Sequence, residues 1–163
     1  PDDPFVCNEL GVLAYRNKDY VTAVMHLEHA MSLLPLPPSA RWEATAVNLA
    51  HAYRKQHSFE KAISWYEKAL SFAPRSASTY TALGLTHQLK GNFQSQMSEA
   101  IECYHKALSL RPDDTFAQEM LTLALIDQCA VTMPPYKFMA YNPHHNPLFP
   151  PKHFSKICNP EVP

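Results

Sequence analysis

The stretch that decides the fold is "TALGLTHQLKGNF", residues 81–93, which holds two of the chain's only three glycines. A glycine inside a helix costs about 1 kcal/mol relative to alanine, so we expect each of these glycines to have a structural purpose. Gly84 follows a leucine in an apolar stretch, whereas Gly91 lies in "KGNF" beside an asparagine. We predict a close helix–helix contact at Gly84, and a turn at Gly91, where glycine and asparagine tolerate positive φ.

Alignment of the chain with itself shows that this stretch belongs to an internal repeat. The copies are "NELGVLAYRNKDYVTAVMHLEHAMSLLP", "VNLAHAYRKQHSFEKAISWYEKALSFAP" and "TALGLTHQLKGNF…SEAIECYHKALSLRP". Each copy has a leucine followed by a small residue, then an aromatic residue, then two alanines, and ends at a proline. The small residues at the predicted crossings of two helices are Gly11, Ala23, Ala50, Ala62, Gly84 and Ala100.

The repeat resembles the tetratricopeptide repeat (TPR), a helix–turn–helix unit of 34 residues. This resemblance implies an all-α solenoid, in which small side chains let the two helices of each unit approach closely. We predict a solenoid over residues 1–127 followed by a proline-rich tail over 129–163. The predicted parts of the solenoid are repeats at about 4–36, 43–76 and 77–112 and an extra helix at 113–128, capped by Asp113 or Asp114.

Two segments depart from the repeat. Four residues, "QSQM" or an equivalent choice, are inserted between Phe93 and Ala100. They amount to about one helical turn, so we expect a longer turn or an earlier start of the second helix, with the apolar face unrotated. In the tail, aromatic residues alternate with prolines, which favours an extended or disordered segment. The alternative is a strap that lays these aromatic side chains across the last helix.

Composition excludes several classes of function. The net charge of −1 provides no general attraction for nucleic acid or an anionic membrane. No apolar stretch is long enough to span a bilayer. The four cysteines form no CxxC pair, which is typical of a reducing compartment. The start "PDDPFV" has neither an initiator methionine nor a signal pattern, so we expect a piece of a longer protein with no readable targeting signal.

No constellation of residues indicates catalysis, and we predict neither an enzyme nor a cofactor. The chain contains no GxGxxG, P-loop, HExxH or nucleophile elbow. Zinc is the alternative, but only His153 and Cys158 approach the spacing of a structural site. The other candidate zinc ligands are Cys129, His144 and His145. We interpret His51, His87 and His105 as groove, packing or surface residues.

The resemblance to TPR arrays also implies a concave groove, lined by the fifth, ninth, twelfth and thirteenth residues of each first helix. These are Asn8, Val12, Tyr15 and Arg16 in the first repeat; Val47, His51, Arg54 and Lys55 in the second; and Thr81, Leu85, Gln88 and Leu89 in the third. This wall combines apolar groups with a basic patch, which suits a peptide with apolar anchors and some acidic residues. The alternative is an ordinary surface without a ligand.

The TPR clamp of co-chaperones, which binds C-terminal carboxylates, is disfavoured by the residues at its positions. Lysine, asparagine and arginine are expected there, but this chain has Asn8, Val12, Ser78 and Ala82, and only Asn48 matches.

Four longer stretches resemble one particular TPR family. They are "DPFVCNELGVLAY", "RWEATAVNLAHAYRK", "STYTALGLTHQLKGNF" and "LSLRPDDTFAQEML", and the similarity covers about residues 2–125. They closely resemble the C-terminal TPR region of the Cdc-sixteen-type scaffold (subunit six) of the anaphase-promoting complex. The inserted turn and the proline-rich tail depart from that family.

This resemblance implies a non-catalytic scaffold, in the nucleus and cytoplasm, of a ubiquitin ligase that drives the cell cycle. The implied partners are neighbouring TPR subunits and a small accessory subunit, whose N-terminal segment occupies the groove. Ubiquitin transfer is then the task of other subunits.

Overall fold

The computed structural model describes residues 3–34, 39–91 and 94–132, and all regular structure in these residues is helical. The helices are α1 (Pro4–Arg16), α2 (Tyr20–Ser32), α3 (Glu43–Lys55), α4 (Phe59–Phe72), α5 (Ala77–Lys90), α6 (Gln94–Leu110) and α7 (Thr115–Thr132). A short 3₁₀ helix, Ala40–Trp42, leads into α3. This arrangement confirms the predicted all-α TPR fold. No helix in the described ranges is both long enough and apolar enough to cross a membrane.

The helices are stacked in the order of the chain. The closest packing is within the pairs α1–α2, α3–α4 and α5–α6, and each pair also contacts the next one through α2–α3, α4–α5 and α6–α7. The first helices touch one another as well: α1 contacts α3, α5 contacts α7, and the Thr79 hydroxyl of α5 donates to Oε1 of Glu43 in α3 at 2.7 Å. The first helices therefore form one continuous wall, as in a TPR solenoid.

Aspartate side chains cap three of the helices. The carboxylates of Asp3, Asp19 and Asp114 accept hydrogen bonds from backbone N–H groups one turn into α1, α2 and α7, at 2.8, 3.1 and 3.1 Å. Each bond satisfies a donor that has no partner within its own helix. Of the two aspartates predicted to cap the last helix, Asp114 makes the bond.

The turns within the repeats differ from one prediction, that of the backbone conformation at Gly91. Lys18 and His57 lie seven residues after Gly11 and Ala50 and adopt left-handed backbone, with φ of 62° and 58°. Gly91 is the equivalent residue of the third repeat, but its φ of 162° is extended. The prediction of positive φ at Gly91 was wrong, because the third repeat enters its second helix by a different route.

That route follows from the inserted residues. α6 has 17 residues and begins at Gln94, whereas α2 has 13 and begins at the repeat's aromatic residue, Tyr20. The insertion therefore extends the second helix at its N-terminal end, which is one of the two predicted outcomes. At the other end of the chain, α7 continues to Thr132, beyond the end predicted at 128. The rest of the predicted tail, 133–163, lies outside the described residues.

The small residues of the repeat lie where the paired helices cross, and all six are buried. A methyl group on Gly11 would lie 2.5 Å from Cγ of Leu27. One on Gly84 would lie 2.8 Å from Cε1 of Tyr104 and 3.0 Å from the carbonyl oxygen of Ala100. Because these distances are shorter than ordinary contacts, the backbones meet at a separation that only very small side chains allow.

A second set of small residues joins successive pairs. The third and tenth residues of α3, α5 and α7 are all buried: Thr45, Ala52, Thr79, Thr86, Ala117 and Ala124. Ala124 packs with Ala100 and Tyr104 of the preceding helix. The equivalent residues of α1 are Val6 and Leu13, which are 42% and 55% exposed because no described helix precedes α1.

Candidate peptide-binding groove

The helix starts place the predicted groove residues in one register. α1, α3 and α5 begin at Pro4, Glu43 and Ala77, so the fifth, ninth, twelfth and thirteenth residues of each helix are those that the repeat predicts. Arg16, Lys55 and Leu89 are exposed, and eight are partly buried: Asn8, Val12, Tyr15, Val47, His51, Arg54, Leu85 and Gln88. Most of this surface thus remains accessible in the described chain.

Two predicted groove residues are used mainly within the fold. Thr81 is buried, and its hydroxyl donates to the carbonyl oxygen of Ala77 at 3.2 Å. The amide oxygen of Asn8 accepts a hydrogen bond from the Thr45 hydroxyl at 2.9 Å, which links α1 to α3. These two side chains therefore stabilise the wall and offer few free polar groups to a ligand.

Two tyrosines of the second helices form hydrogen bonds with groove side chains. Oη of Tyr66 lies 2.6 Å from Nδ1 of His51, and the Tyr104 hydroxyl donates to Oε1 of Gln88 at 2.9 Å. Both tyrosines are fully buried. The sequence prediction of the groove does not include these tyrosines, although their signal is visible: both occupy the position four residues after the alanine of the second helix, where the first repeat has Leu27.

His51 is a neutral side chain in this setting. Burial, together with the positive charges of Arg54 and Lys55, lowers its pKa to about 4. Burial also raises the pKa of the Tyr15 hydroxyl, an effect that the charge of Arg54 partly offsets. The centre of the wall therefore combines uncharged aromatic groups with one guanidinium.

The cations of the wall have no acidic partners in the described part of the chain. The ion pairs found there join His87 to Glu99, at 2.9 Å, and Lys90 to Glu60, at 3.5 Å; neither involves Arg16, Arg54 or Lys55. Nε of Arg54 is buried and lacks a hydrogen-bond partner among the described residues. A buried donor without a hydrogen-bond partner costs free energy.

Metal ligands do not converge within residues 3–34, 39–91 and 94–132, where no group of three such side chains could hold an ion. Of the zinc candidates, only Cys129 lies in these ranges. His87 is buried beside Glu99, and His105 is exposed on α6.

Comparison with known proteins identifies the repeats. A family model described as "TPR repeat" matches residues 50–91, and one described as "Tetratricopeptide repeat" matches residues 77–114. Anaphase-promoting complex subunit 6 of Arabidopsis thaliana is 51% identical over 129 residues, which is 79% of this chain and 23% of that protein. The cell division cycle protein 16 homolog of Homo sapiens is 38% identical over 125 residues, 74% of this chain and 20% of that protein. The chain thus spans less than a quarter of the length of these relatives.

Solved structures show the same fold. Cut9, in the crystal structure of the APC/C hetero-tetramer Cut9-Hcn1, superposes with a TM-score of 0.71 at 32% identity, over 77% of this chain and 24% of that one. The first TPR of Spaghetti (RPAP3), solved with the HSP90 peptide SRMEEVD, gives a TM-score of 0.67 at 20% identity, over 80% of this chain and 94% of that one. The second likeness shows the fold alone.

Proposed function

We propose that this chain, a TPR protein with homologues named anaphase-promoting complex subunit 6, acts as a non-catalytic scaffold of that ubiquitin ligase. Its concave groove holds a segment of a small accessory protein. The ubiquitin-transfer chemistry belongs to other subunits, and the protein works in the nucleus and cytoplasm with protein partners, neither nucleic acid nor membrane.

One observation on the groove supports this proposal: three cations on its wall lack acidic partners within the described residues. They flank the partly buried apolar side chains Val12 and Val47. A peptide with apolar anchors and acidic residues would satisfy both features at once.

The description of the solved hetero-tetramer supports one choice of partner. It pairs Cut9 with Hcn1, and Cut9 is a structural neighbour at 32% identity. We infer that a segment of an Hcn1-like protein occupies the groove of this chain. A generic adaptor or a co-chaperone is the alternative, but the residues at the clamp positions, such as Val12 and Ala82, cannot bind a carboxylate.

The test is calorimetry of the chain with a synthetic peptide that covers the N-terminal segment of Hcn1. Reversing two charges, Arg54→Glu with Lys55→Glu, should weaken binding about tenfold or more, because the partner's carboxylates would then face like charges. Lys106→Glu, on exposed surface of α6, is the matched control and should leave the affinity unchanged. Equal affinities for the wild type and the double variant would count against the groove.

A pull-down from dividing cells tests the assembly separately. The other ligase subunits should accompany the tagged chain, and their absence would contradict the scaffold role.

A further inference from the structure

α7 extends the register of the concave wall by one more helix. It begins at Thr115, as the other first helices begin at Pro4, Glu43 and Ala77. Counting from Thr115, the fifth, ninth, twelfth and thirteenth residues are Glu119, Leu123, Ile126 and Asp127, and all four are exposed. Leu123 and Ile126 are large apolar side chains that are 48% and 57% exposed.

The packing of α7 supports this register. Its third and tenth residues, Ala117 and Ala124, are buried like Thr79 and Thr86 at the same positions of α5. α7 also contacts α5 directly, as α3 contacts α1. Since the same face of each helix packs on the preceding pair, the same face of each is left for the inner wall.

The chemistry of the wall changes along the solenoid. The α1–α3 end contributes Arg16, Arg54 and Lys55 and no acidic residue at the four groove positions. α5 contributes Leu85 and Leu89, with no charge. The α7 end contributes two apolar and two acidic residues and no basic one. One end is therefore cationic, and the other is apolar with an acidic border.

We propose that the groove is polarised, and that it binds a polypeptide segment in one spatial orientation. Acidic residues of the segment lie on α1 and α3, and its apolar residues, with an adjoining basic residue, lie on α5 and α7. This inference rests on the proposed function, because it specifies the ligand of the same groove.

Complementary charge determines the orientation. In the reverse placement, the segment's acidic residues would face Glu119 and Asp127, and its basic residue would face Arg54 and Lys55. Like charges brought together across an interface select strongly against such a placement. The exposed apolar side chains of α7 contribute affinity when they are covered, in proportion to the area removed from water.

The helix spacing fixes the length of such a segment. Helices whose side chains touch, as Glu43 of α3 and Thr79 of α5 do, lie about 10 Å apart, so the distance from α3 to α7 across α5 is about 20 Å. An extended chain advances about 3.3 Å per residue, so roughly six residues separate the acidic part from the apolar part.

The experiment uses the full chain and a designed peptide with a glutamate block, a neutral spacer of about six residues, and a leucine–lysine block. A photo-reactive leucine is placed at either end, and crosslinked residues are mapped by mass spectrometry. The proposal expects crosslinks to α1 and α3 from the acidic end, and to α5 and α7 from the apolar end. Crosslinks distributed equally, or in the reverse order, would overturn it.

Substitutions test the contribution of each end of the groove to binding. Leu123→Glu with Ile126→Glu should weaken binding of the designed peptide about tenfold, and Val21→Glu, at a 73% exposed site on α2, should not change it. Replacing the glutamate block by lysines should abolish binding to the wild type and restore it to the Arg54→Glu, Lys55→Glu variant. Equal losses from Val21→Glu and from the α7 variants would contradict the proposal.

Further results distinguish this inference from other occupants of the groove, and its failure from failure of the proposed function. A photo-reactive residue in place of Leu123 that crosslinks to residues 133–163, or to a second copy, would overturn the inference, because the apolar end would then be occupied from within. If the Hcn1 segment binds but the designed peptide shows no polarity, the inference fails and the proposed function stands. If neither peptide binds, both fail.

Discussion

At the scale of single residues, the fold depends on side chains that are too small to keep two helices apart. Replacing Gly84 by alanine should lower the free energy of unfolding by about 1 kcal/mol. Overpacking against Tyr104 and the Ala100 carbonyl costs about 1–3 kcal/mol, which exceeds the gain of up to about 1 kcal/mol in helix propensity. Urea unfolding followed by circular dichroism measures the difference.

Gly91→Ala is the matched control, because the same atom is added to another glycine of the same repeat. A methyl group there would meet only Oε1 of Gln96, at 3.5 Å, and the backbone is already extended. Its effect should stay within about 0.5 kcal/mol. A Gly84→Ala variant as stable as the wild type would show that the two helices can separate without cost.

Residue-scale prediction succeeded where a pattern has one physical explanation. A glycine after a leucine, repeated at helical register, is explained only by close helix packing, so Gly84 could be placed from sequence. The conformation of Gly91 could not, because the inserted turn changes the path into α6. The hydrogen bond between Tyr66 and His51 was not predicted either, because a buried tyrosine in a repeat cannot be told from other core residues until the position of its hydroxyl is known.

At the scale of elements, α3 and α4 are joined by a titratable contact, the hydrogen bond between His51 and Tyr66. The pKa of His51 is lowered to about 4 in the folded chain, against about 6.5 when unfolded. Between these values the unfolded chain binds a proton that the folded chain excludes. Stability should therefore be complete above about pH 6.5 and fall as the pH decreases, by about 2 kcal/mol at about pH 5.

The pH dependence can be assigned by substitution. His51→Gln should lower stability at neutral pH, because the contact with Tyr66 is altered, and should remove most of the loss between about pH 6.5 and 4. His105→Gln, at an exposed position on α6, should leave the profile unchanged. Burial also lowers the pKa of His87, so a smaller loss of the same sign should remain. An unaltered profile in His51→Gln would refute the assignment.

Element boundaries were predictable where the repeat supplied them and less so elsewhere. The starts of α3 and α5 coincide with the predicted repeat starts, at 43 and 77. The end of α7 was placed at 128 and lies at Thr132, because no turn residue or proline interrupts the helix before Pro134. The repeat pattern gives no guidance there.

At the scale of the whole molecule, stability should depend on which neighbour each helix has, since stacked helix pairs contact only the adjacent pairs. The two ends of the described solenoid show this. α1 leaves Val6 and Leu13 exposed, on the face that would pack on a preceding pair. α7 leaves Gln118, Thr122 and Leu125 exposed, at the positions where α3 and α5 meet their own second helices.

A leucine introduced at one repeat position should therefore destabilise one helix pair and have little effect in another helix. Ala50 and Thr122 are the eighth residues of α3 and α7; Ala50 is fully buried beneath α4, whereas Thr122 is exposed. Ala50→Leu adds a bulky side chain at a helix crossing and should cost about 1–3 kcal/mol or more. Thr122→Leu should change the free energy of unfolding by no more than about 0.5 kcal/mol, because no described helix crosses there. Urea unfolding of the two variants of the full chain compares them directly. A comparable loss in Thr122→Leu would mean that a further segment, such as residues 133–163, covers this face of α7, as the strap hypothesis requires.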